Sequence, residues 1–306
     1  MVHRVEITRD AGLRISYDCK NRLPHDVRIA APMDNNGEKA TQQLRLHVIA
    51  SGSKGNCSVI ENRATGALVV IDCGISKKAF MEGCRACGID PARVEGILVT
   101  HEHSDHVKGL GVMTRGLARL GVEPVLYASA AVHRASPDIR AIEDAVDLRH
   151  FKAEDDLVIG GVSVHAFATL HDAIESFGFR FDCRGDSIGF MTDTGIVTGA
   201  ASEALRECRV LALESNHDVN MLANGPYPYY LKQRIASDHG HLSNGQSAAL
   251  LQSLLCSRLE EVIGMHVSQN NNTYALPIDA LAGTLSRECH PAKASVGYQA
   301  RIVSVG

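Results

Sequence analysis

The chain has 306 residues, of which 45% are hydrophobic and 22% charged, and its formal net charge is −4. This composition is typical of a soluble globular protein with one large domain or two small ones. The negative net charge argues against a broad basic surface that holds nucleic acid by counterion release alone. No apolar run reaches the roughly 18–20 residues of a membrane span, the first residues lack a signal-peptide core, and nine scattered cysteines favour reduced thiols. We therefore expect a cytoplasmic protein with no membrane partner.

Residues 1–43 differ from the rest of the chain. Apolar residues between Val5 and Tyr17 alternate around a turn at residues 10–12, which predicts a short hairpin. Residues 31–43 are polar and rich in turn formers, as in a linker. We therefore divide the chain into an N-terminal extension, residues 1–43, and one main domain, residues 44–306.

From residue 44 onward, strand-like and helix-like patterns alternate irregularly. The predicted strands are residues 44–50, 58–61, 67–71, 94–99, 124–127, 162–169, 176–182, 187–191, 210–213, 261–265 and 295–304. The predicted helices are residues 77–87, 105–120, 201–207, 229–237, 244–258 and 278–286. Mixed sheets covered by helices fit this order better than an all-β fold or strict strand–helix alternation, which indicates the α/β class. Cys84 and Cys87 fall in an apolar helical pattern, so we interpret them as core residues.

The segment that follows the apolar strand 94–99 reads Thr-His-Glu-His-Ser-Asp-His. Side chains two apart in an extended segment point the same way, so His101 and His103 can converge on one cation. Asp105 and His106 then begin a helix and face a second cation nearby. Imidazole and carboxylate together suit Zn²⁺, Mn²⁺ or Fe. A surface turn rich in histidine would explain one such residue, but this cluster favours a site for two divalent metal ions.

Four residues are too few to hold two ions, so further ligands are expected at other strand ends. His171, Asp193 and His266 each follow a predicted strand, and Asp72 ends another. A single carboxylate at a strand end is more often a turn or cap residue. Together, at the C-terminal ends of successive strands, these residues favour one shared metal site.

The pattern His-x-His-x-Asp-His, with an earlier strand-end Asp and a later His, Asp and His, resembles the metallo-β-lactamase superfamily across residues 44–306. The resemblance implies a four-layer αβ/βα sandwich with two mixed β-sheets. The ligands that it implies are, for one metal, His101, His103 and His171 and, for the other, Asp105, His106 and His266. It also implies that Asp193 bridges both metals and that Asp72 orients the ligand loop without binding a metal.

Four shorter motifs resemble one branch of that superfamily, the YycJ-like (WalJ) exonucleases, which are linked to DNA processing. They read Ala-Ser-Gly-Ser-Lys-Gly-Asn at residues 50–56, Glu-Ser-Asn-His-Asp at 214–218, Gly-Pro-Tyr-Pro-Tyr-Tyr-Leu-Lys-Gln-Arg at 225–234 and Gly-His-Leu-Ser-Asn at 240–244. The resemblance implies that the chain is an exonuclease with DNA as its substrate.

Two divalent ions about 3.5–4 Å apart can share a hydroxide at neutral pH and clamp a phosphate oxygen. Asp105 and Asp193 would then be catalytic through the metals that they hold. The leaving oxygen needs a proton, and Glu214 and His241 are the candidates, because nucleolytic relatives carry a Glu and a His in similar motifs. His241 would equally fit a histidine that precedes a helix cap.

Five further residues are candidates for substrate contact. Lys54 belongs to a glycine-rich loop that would suit a phosphate or a plain hairpin turn. His217 and Asp218 would contact substrate or form loop hydrogen bonds. Lys232 and Arg234 follow three tyrosines and would meet a nucleic-acid backbone while the tyrosines stack on bases, although we favour a solvated helix face with the tyrosines packed inward.

Three alternatives to a DNA exonuclease stay open: a cyclic or small-molecule phosphodiesterase, a thioester or lactam hydrolase, and a non-catalytic regulatory protein stabilised by metal. The Glu214 and His241 motifs disfavour the second, and seven intact ligands disfavour the third. A diiron oxidoreductase is set aside because it would be expected to carry a carboxylate in place of His103. The sequence leaves open the native metal, DNA versus RNA, the cleavage polarity, the oligomeric state and the role of residues 1–43.

Overall fold

Two seven-stranded mixed β-sheets dominate residues 42–306, the part of the chain that this computed structural model describes. The predicted hairpin and linker of the N-terminal extension lie outside the described residues, except for Gln42 and Gln43. Across residues 42–306, no helix combines the length and the apolar character required to cross a membrane.

The first sheet contains the strands of the N-terminal half together with the last strand of the chain. Its strands are β1 (Leu44–Ala50), β2 (Cys57–Asn62), β3 (Ala67–Ile71), β4 (Val94–Leu98), β5 (Val125–Ser129), β6 (Leu148–Phe151) and β14 (Val303–Val305). Their order across the sheet is β14-β1-β2-β3-β4-β5-β6. The pairs from β14 to β3 are antiparallel, whereas β3, β4, β5 and β6 run parallel.

The second sheet repeats this division into an antiparallel and a parallel half. Its strands are β7 (Asp156–Ile159), β8 (Val162–Ala168), β9 (Phe177–Cys183), β10 (Asp186–Met191), β11 (Val210–Glu214), β12 (Glu261–Met265) and β13 (Lys293–Val296). Their order is β13-β12-β11-β10-β9-β8-β7. Strands β10 to β13 run parallel, and β7 to β10 pair antiparallel.

Helices cover the two sheets. They are α1 (Lys77–Cys87), α2 (Ser104–Val107), α3 (Leu110–Ala118), α4 (Ala130–Ala135), α5 (Pro137–Arg140), α6 (Gly199–Ala204), α7 (Val219–Asn224), α8 (Tyr229–Ile235), α9 (Asn244–Leu254) and α10 (Ala275–Arg287), with short 3-10 helices at Pro91–Arg93 and Glu143–Ala145. One hydrophobic core joins both sheets with α1, α3, α4 and α5, and a second joins the second sheet with α6, α9 and α10. This arrangement confirms the predicted α/β sandwich of two mixed sheets flanked by helices.

The inner parallel strands are largely buried and apolar, as strands covered on both faces are. Every residue of β3 (Ala-Leu-Val-Val-Ile) and of β11 (Val-Leu-Ala-Leu-Glu) is buried. Polar residues follow where these strands end, and three of them have left-handed φ values, namely Asp72 (59°), Asp193 (56°) and His266 (54°). Residues other than glycine rarely adopt such φ values, which cluster at functional sites. The carboxyl-end edge of the sheets is therefore where the site is expected.

The structure divides two of the predicted elements. The predicted strand 295–304 is wrong as one element, because the chain crosses from the second sheet (β13) to the first (β14) within it. The predicted helix 105–120 is also interrupted, between α2 and α3, because the N–H of Gly109 donates to the carbonyl of Cys73 at 2.7 Å instead of continuing the helix.

Strands β6 and β7 have no counterpart among the predicted strands. Each is the edge strand of its sheet and has a single buried residue. The sequence of β6 (Leu-Arg-His-Phe) has no apolar run, and the apolar run of β7 (Leu-Val-Ile) is only three residues long. Helices α4, α5 and α7 are also not predicted, because four to six residues are too few to show a repeating helical pattern of apolar residues. The other predicted elements are confirmed with small shifts at their ends, and Cys84 of α1 is buried in the core as expected.

Candidate metal centre

The predicted ligands converge at the carboxyl ends of β4, β8, β10 and β12. Within residues 42–306 their potential ligand atoms form overlapping groups, in each of which all atoms lie within 4.8 Å of one another. Two of these groups are His101, His103 and His171, and Asp105, His106 and His266. The other two include the predicted bridging carboxylate and are His101, His106 and Asp193, and Asp193, Glu214, His241 and His266. The structure thus brings together the same two sets that the resemblance implied, although they come from distant parts of the chain.

Asp193 lies between the two groups. Its Oδ2 is 3.6 Å from Nε2 of His106, and its Oδ1 is 3.9 Å from Nε2 of His171. The carboxylate is buried. This is the location that a ligand shared by two ions would require.

Hydrogen bonds to the protein fix one ring nitrogen of the buried histidines. Nδ1 of His106 lies 2.7 Å from Oδ2 of Asp72, and Nδ1 of His171 lies 3.0 Å from the carbonyl oxygen of Gly240. The opposite nitrogen, Nε2, is thereby directed into the cluster, which is how metal-binding histidines are usually oriented. Asp72 therefore occupies the orienting position that was predicted for it.

Several buried polar atoms of the cluster have no partner within the described part of the protein. Nε2 of His101, Nε2 of His266 and Oδ2 of Asp193 are among nine buried side-chain nitrogen and oxygen atoms in residues 42–306 that make no hydrogen bond. Such atoms cost free energy when they are left unpaired. Imidazole nitrogens and carboxylate oxygens that face one another suit a divalent cation. The residues therefore fit two such ions, and their role as ligands remains a prediction.

Burial and neighbouring charges together set the protonation of the side chains in the cluster. Burial alone would lower the pKa of His106, but Asp72 and Asp193 raise it to about 9. Burial alone would raise the pKa of Asp193, but His266 and His106 hold it below its ordinary value. In His101, burial and the neighbouring imidazoles together lower the pKa well below its ordinary value. Asp193 is thus ionised and His101 neutral, the forms in which these side chains bind metal.

Glu214 and His241 form a hydrogen-bonded pair beside the ligands. Nδ1 of His241 lies 2.7 Å from Oε1 of Glu214, and Nδ1 of His266 lies 3.1 Å from the same oxygen. Oε2 of Glu214 accepts hydrogen bonds from the backbone N–H groups of Thr194 and Leu242. Burial would raise the pKa of Glu214, but His241 and His266 hold it far below its usual range. The two residues predicted to supply a proton therefore lie together in the site.

A cleft of about 270 Å³ opens over the two ligand groups. Helix α8 forms one wall of the cleft through Leu231, Arg234 and Ile235. Nε of Arg234 contacts the carboxylate of Asp172, and its side chain is 58% exposed. Among the lining residues, all of which lie in the described part of the chain, Arg234 is the one Lys or Arg. Arg234 therefore lies at the cleft, and substrate contact by it remains a prediction.

The tyrosines of the same segment do not all pack inward. Tyr229 is 75% exposed and Tyr230 is 73% exposed, whereas Tyr227 is half-buried and lines the cleft. The expectation of inward packing is therefore wrong for Tyr229 and Tyr230. Helix α8 turns Leu231 and Ile235 toward the cleft instead.

Two of the predicted cations lie outside the lining of the cleft. Lys54 is exposed in the loop between β1 and β2, and its neighbour Ser53 lines the cleft in its place. Nζ of Lys232 donates to the carbonyl of Ala223 at 2.8 Å, which ties α8 to α7. Substrate contact by either lysine remains a prediction.

His217 and Asp218 are also absent from the cleft lining. The carboxylate of Asp218 accepts a hydrogen bond from the N–H of Met221 and caps α7. The imidazole of His217 is buried and its Nδ1 has no partner in residues 42–306. Burial lowers the pKa of His217 to about 4, although the nearby Glu214 carboxylate opposes the shift. The loop hydrogen bond fits Asp218, and substrate contact by either residue remains a prediction.

Two residues of the site were not singled out from the sequence. Nδ2 of Asn56 lies 3.0 Å from Nε2 of His106 and donates to Oδ2 of Asp105 at 3.3 Å. Oδ1 of Asp172 lies 3.2 Å from Nε2 of His171. Both had a signal in the sequence, because Asn56 closes the glycine-rich motif and Asp172 directly follows a predicted ligand.

Comparison with known proteins relates the chain to a known family. The sequence profile of the beta-lactamase superfamily domain matches residues 68–267. Exodeoxyribonuclease YycJ of Bacillus anthracis is 34% identical over 229 residues, which are 75% of this chain and 84% of that protein. Exodeoxyribonuclease WalJ of Streptococcus pneumoniae serotype 2 is 33% identical over 231 residues, which are 75% of this chain and 83% of that protein.

A solved structure supports the fold independently. The metallo-beta-lactamase fold protein YhfI from Bacillus subtilis superposes with a TM-score of 0.61 at 13% sequence identity, covering 86% of this chain and 99% of that one. At this level of identity the similarity shows the fold alone. Together, these comparisons confirm both the fold and the family resemblance that the sequence predicts.

Proposed function

We propose that this chain, which belongs to the beta-lactamase superfamily and is a metal-dependent hydrolase, cleaves the phosphodiester bonds of DNA as an exonuclease. The observation that carries the proposal is the Glu214–His241 pair beside the two ligand groups. A thioester releases a thiolate, which leaves without a proton, whereas the alkoxide leaving group of a DNA phosphodiester needs a proton donor. Two relatives with one-third sequence identity bear the name exodeoxyribonuclease, which also supports a DNA substrate.

The residues that would hold two divalent ions share a chemistry of imidazole and carboxylate. They are His101, His103 and His171 for one ion, Asp105, His106 and His266 for the other, and Asp193 for both. When bound, such ions supply Lewis acidity toward a phosphate and lower the pKa of a water to about 7. Zn²⁺ and Mn²⁺ are the first candidates, and Fe fits the same ligands.

His241 is proposed to donate a proton to the leaving oxygen of the substrate. Because Nδ1 of His241 is bonded to Oε1 of Glu214, Nε2 is the ring nitrogen available to the cleft that His241 lines. Glu214 is held by the N–H groups of Thr194 and Leu242, so it stays in place while His241 hands over the proton. A donor held in this way contributes about 10²–10⁴-fold to a rate.

The cleft would admit the end of a strand. Arg234 offers a guanidinium at its wall, and the ion pair with Asp172 holds that side chain near the ligands. A guanidinium recognises phosphate oxygens in a bidentate geometry. Because the formal net charge of the chain is −4, such local cations would carry the electrostatic part of binding. The scattered cysteines favour a cytoplasmic location for this activity.

The test uses the full chain supplied with Zn²⁺ or Mn²⁺. Its substrates are bis(p-nitrophenyl) phosphate, a cyclic nucleotide, end-labelled linear DNA, covalently closed circular DNA and a thioester. We expect release of nucleotides from linear DNA but not from the closed circle. His103→Ala removes a predicted ligand and should abolish the activity, whereas His150→Ala, at an exposed position of β6, should leave it unchanged.

Each alternative predicts a different result in the same experiment. Hydrolysis of the thioester without either phosphodiester would overturn the proposal. Cleavage of the cyclic nucleotide without cleavage of DNA would assign the site to small phosphodiesters. Cleavage of the closed circle would contradict the exonuclease mode and would indicate an endonuclease.

A further inference from the structure

The basic side chain in the lining of the cleft is already paired in the free protein. Among the lining residues, all within residues 42–306, Arg234 is the only Lys or Arg. Its Nε contacts Oδ2 of Asp172, which also lines the cleft. Burial would raise the pKa of Asp172, but Arg234 holds it below its ordinary value. The carboxylate is therefore ionised at neutral pH and neutralises the cation that a substrate phosphate would need.

The two oxygens of Asp172 face the two parts of the site that a phosphate would join. Oδ1 lies 3.2 Å from Nε2 of His171, and Oδ2 contacts the guanidinium of Arg234. Nε2 of His171 is directed into the cluster of predicted ligands, because Nδ1 is bonded to the carbonyl oxygen of Gly240. A guanidinium binds the oxygens of a carboxylate and of a phosphate in the same geometry. Asp172 therefore lies where a phosphate between the predicted metal centre and Arg234 would be placed.

The ion pair is exposed enough to exchange one anion for another. The side chains of Arg234 and Asp172 are 58% and 25% exposed. Those of the buried pair Arg209 and Asp186 are 9% and 2% exposed. Ion pairs that water reaches contribute little to stability, because the solvent screens both charges. A phosphate that enters the cleft can therefore displace Asp172 from Arg234 at small cost.

The helix that carries Arg234 is held in place on both sides of this residue. Nζ of Lys232 donates to the carbonyl of Ala223 at 2.8 Å, and the N–H of His241 donates to the carbonyl of Ile235 at 2.9 Å. Only the side chain of Arg234 then has to change its partner. The exchange therefore needs no movement of α8.

We infer that Asp172 takes the place of a substrate phosphate at Arg234 in the free protein and is displaced when the substrate binds. Under the proposed function, on which this inference rests, that phosphate belongs to the backbone of DNA. The carboxylate competes with the substrate for one cation, so it weakens binding, and it returns to Arg234 when the product leaves. Asp172 thus sets the affinity of the cleft for phosphates.

The test measures binding by the full chain loaded with Zn²⁺ or Mn²⁺. Its ligand is a fluorescein-labelled linear duplex with phosphorothioate linkages, which resist hydrolysis, and fluorescence anisotropy gives the Kd. Asp172→Asn should lower the Kd by about two- to fivefold, because it removes the competing charge. Arg234→Gln should raise the Kd by about tenfold. Asp144→Asn, at an exposed residue, is the matched control and should leave the Kd unchanged.

The double variant Asp172→Asn/Arg234→Gln identifies the cause of the change. If Asp172 acts through Arg234, its removal has no further effect once the guanidinium is absent, so the double variant should match Arg234→Gln within about twofold. A gain from Asp172→Asn that is equally large in the Arg234→Gln background would overturn the exchange, because general charge repulsion would explain it. A raised Kd for Asp172→Asn would also overturn it and would show that the ion pair orients Arg234 for the substrate.

The metal content of the same variant tests a different role for Asp172. Asp172→Asn should retain as many ions per chain as the unaltered protein, because Asp172 is not among the seven predicted ligands. Loss of an ion in this variant would overturn the exchange, since Asp172 would then be a metal ligand.

Hydrolysis separates this inference from the proposed function. On bis(p-nitrophenyl) phosphate, a phosphodiester that is not DNA, Asp172→Asn should lower KM and leave kcat within about twofold. That result without cleavage of any DNA would overturn the proposed function and leave the exchange standing. Cleavage of linear DNA with the same KM in Asp172→Asn and in the unaltered chain would overturn the exchange and leave the proposed function standing.

Discussion

Oδ2 of Asp72 lies 2.7 Å from Nδ1 of His106, and both side chains are 2% exposed. Oδ1 of the same carboxylate accepts a hydrogen bond from the N–H of Thr100 at 2.9 Å. The end of β3 is thereby tied to the start of the histidine segment that follows β4. Asp72 thus sets the ring of His106 in the orientation that a metal ligand needs.

Replacement of Asp72 by Asn should weaken metal binding without removing a ligand. Loss of a carboxylate that orients a ligand typically lowers metal affinity by about 10- to 100-fold. Competition with a chromophoric chelator measures the Zn²⁺ affinity directly. Asp144→Asn, at an exposed residue, is the matched control. An affinity of Asp72→Asn within about twofold of the unaltered chain would show that Asp72 does not orient His106 for a metal.

Replacement of His241 by Asn should separate two kinds of substrate. The variant keeps all seven predicted ligands but lacks the proposed proton donor, so kcat for DNA should fall by about 10²–10⁴-fold. The p-nitrophenolate of bis(p-nitrophenyl) phosphate leaves without a proton, so its hydrolysis should fall far less. Steady-state rates on both substrates and metal content provide the measurement. Equal losses on the two substrates would contradict the role of His241 as an acid.

The buried imidazole of His217 should make stability depend on pH. Its folded pKa of about 4 lies below the ordinary 6.5, so the unfolded chain binds a proton that the folded one resists. The stabilisation is complete above pH 6.5 and is lost as the pH falls through about 4. The free energy of unfolding lost in His217→Gln should therefore be larger at about pH 7.5 than at about pH 4.5, by on the order of 2 kcal/mol.

Urea unfolding in EDTA measures this difference, with His150→Gln as the control at an exposed histidine. Because the unaltered protein and His217→Gln contain the same cluster of predicted histidine ligands, the titration of that cluster cancels in the comparison. A loss in His217→Gln that is the same at both pH values would show that His217 titrates normally in the folded protein.

The buried ion pair of Arg209 and Asp186 should stabilise the folded protein only while both charges are present. Nε and Nη2 of Arg209 lie 2.7 and 2.8 Å from the two carboxylate oxygens, and Nη2 also donates to the carbonyl of Leu44. Arg209→Met removes the cation from the buried carboxylate, to which, within residues 42–306, only the backbone N–H groups of Gln43, Leu44 and Ser187 would still donate, and should cost about 3–5 kcal/mol in urea unfolding. Arg209→Met/Asp186→Asn should recover part of that loss, because it removes the buried charge and keeps an oxygen that accepts hydrogen bonds. No recovery in the double variant would contradict this explanation.

The parts of the site that the sequence predicts best are those set by buried apolar strands. The runs before His101, His171, Asp193 and His266 are apolar because helices and sheets cover them, so a polar residue at each end stands out. The edge strands β6 and β7 are half exposed and carry no such pattern. Their pairing depends on neighbours that a local pattern does not contain.

The surroundings of the ligands are harder to predict from local pattern. The contact of Asn56 with His106 joins residues fifty positions apart and follows from how the β1–β2 loop folds over the site. The exposure of Tyr229 and Tyr230 depends on which face α8 turns to the cleft, and a seven-residue helix has too few positions to specify that face. Both features depend on the assembled tertiary structure, so a local sequence pattern does not predict them.

The metal content of the chain, measured beside its activity, tests the proposed centre most directly. After reconstitution with Zn²⁺ or Mn²⁺ and removal of loosely bound ions, we expect two ions per chain in the unaltered protein and fewer in His103→Ala. Phosphodiester hydrolysis should vanish with a chelator and return with the metal. A chain that retains no stoichiometric ion, or that hydrolyses phosphodiesters equally well after exhaustive chelation, would contradict a dinuclear metal site built from these seven residues.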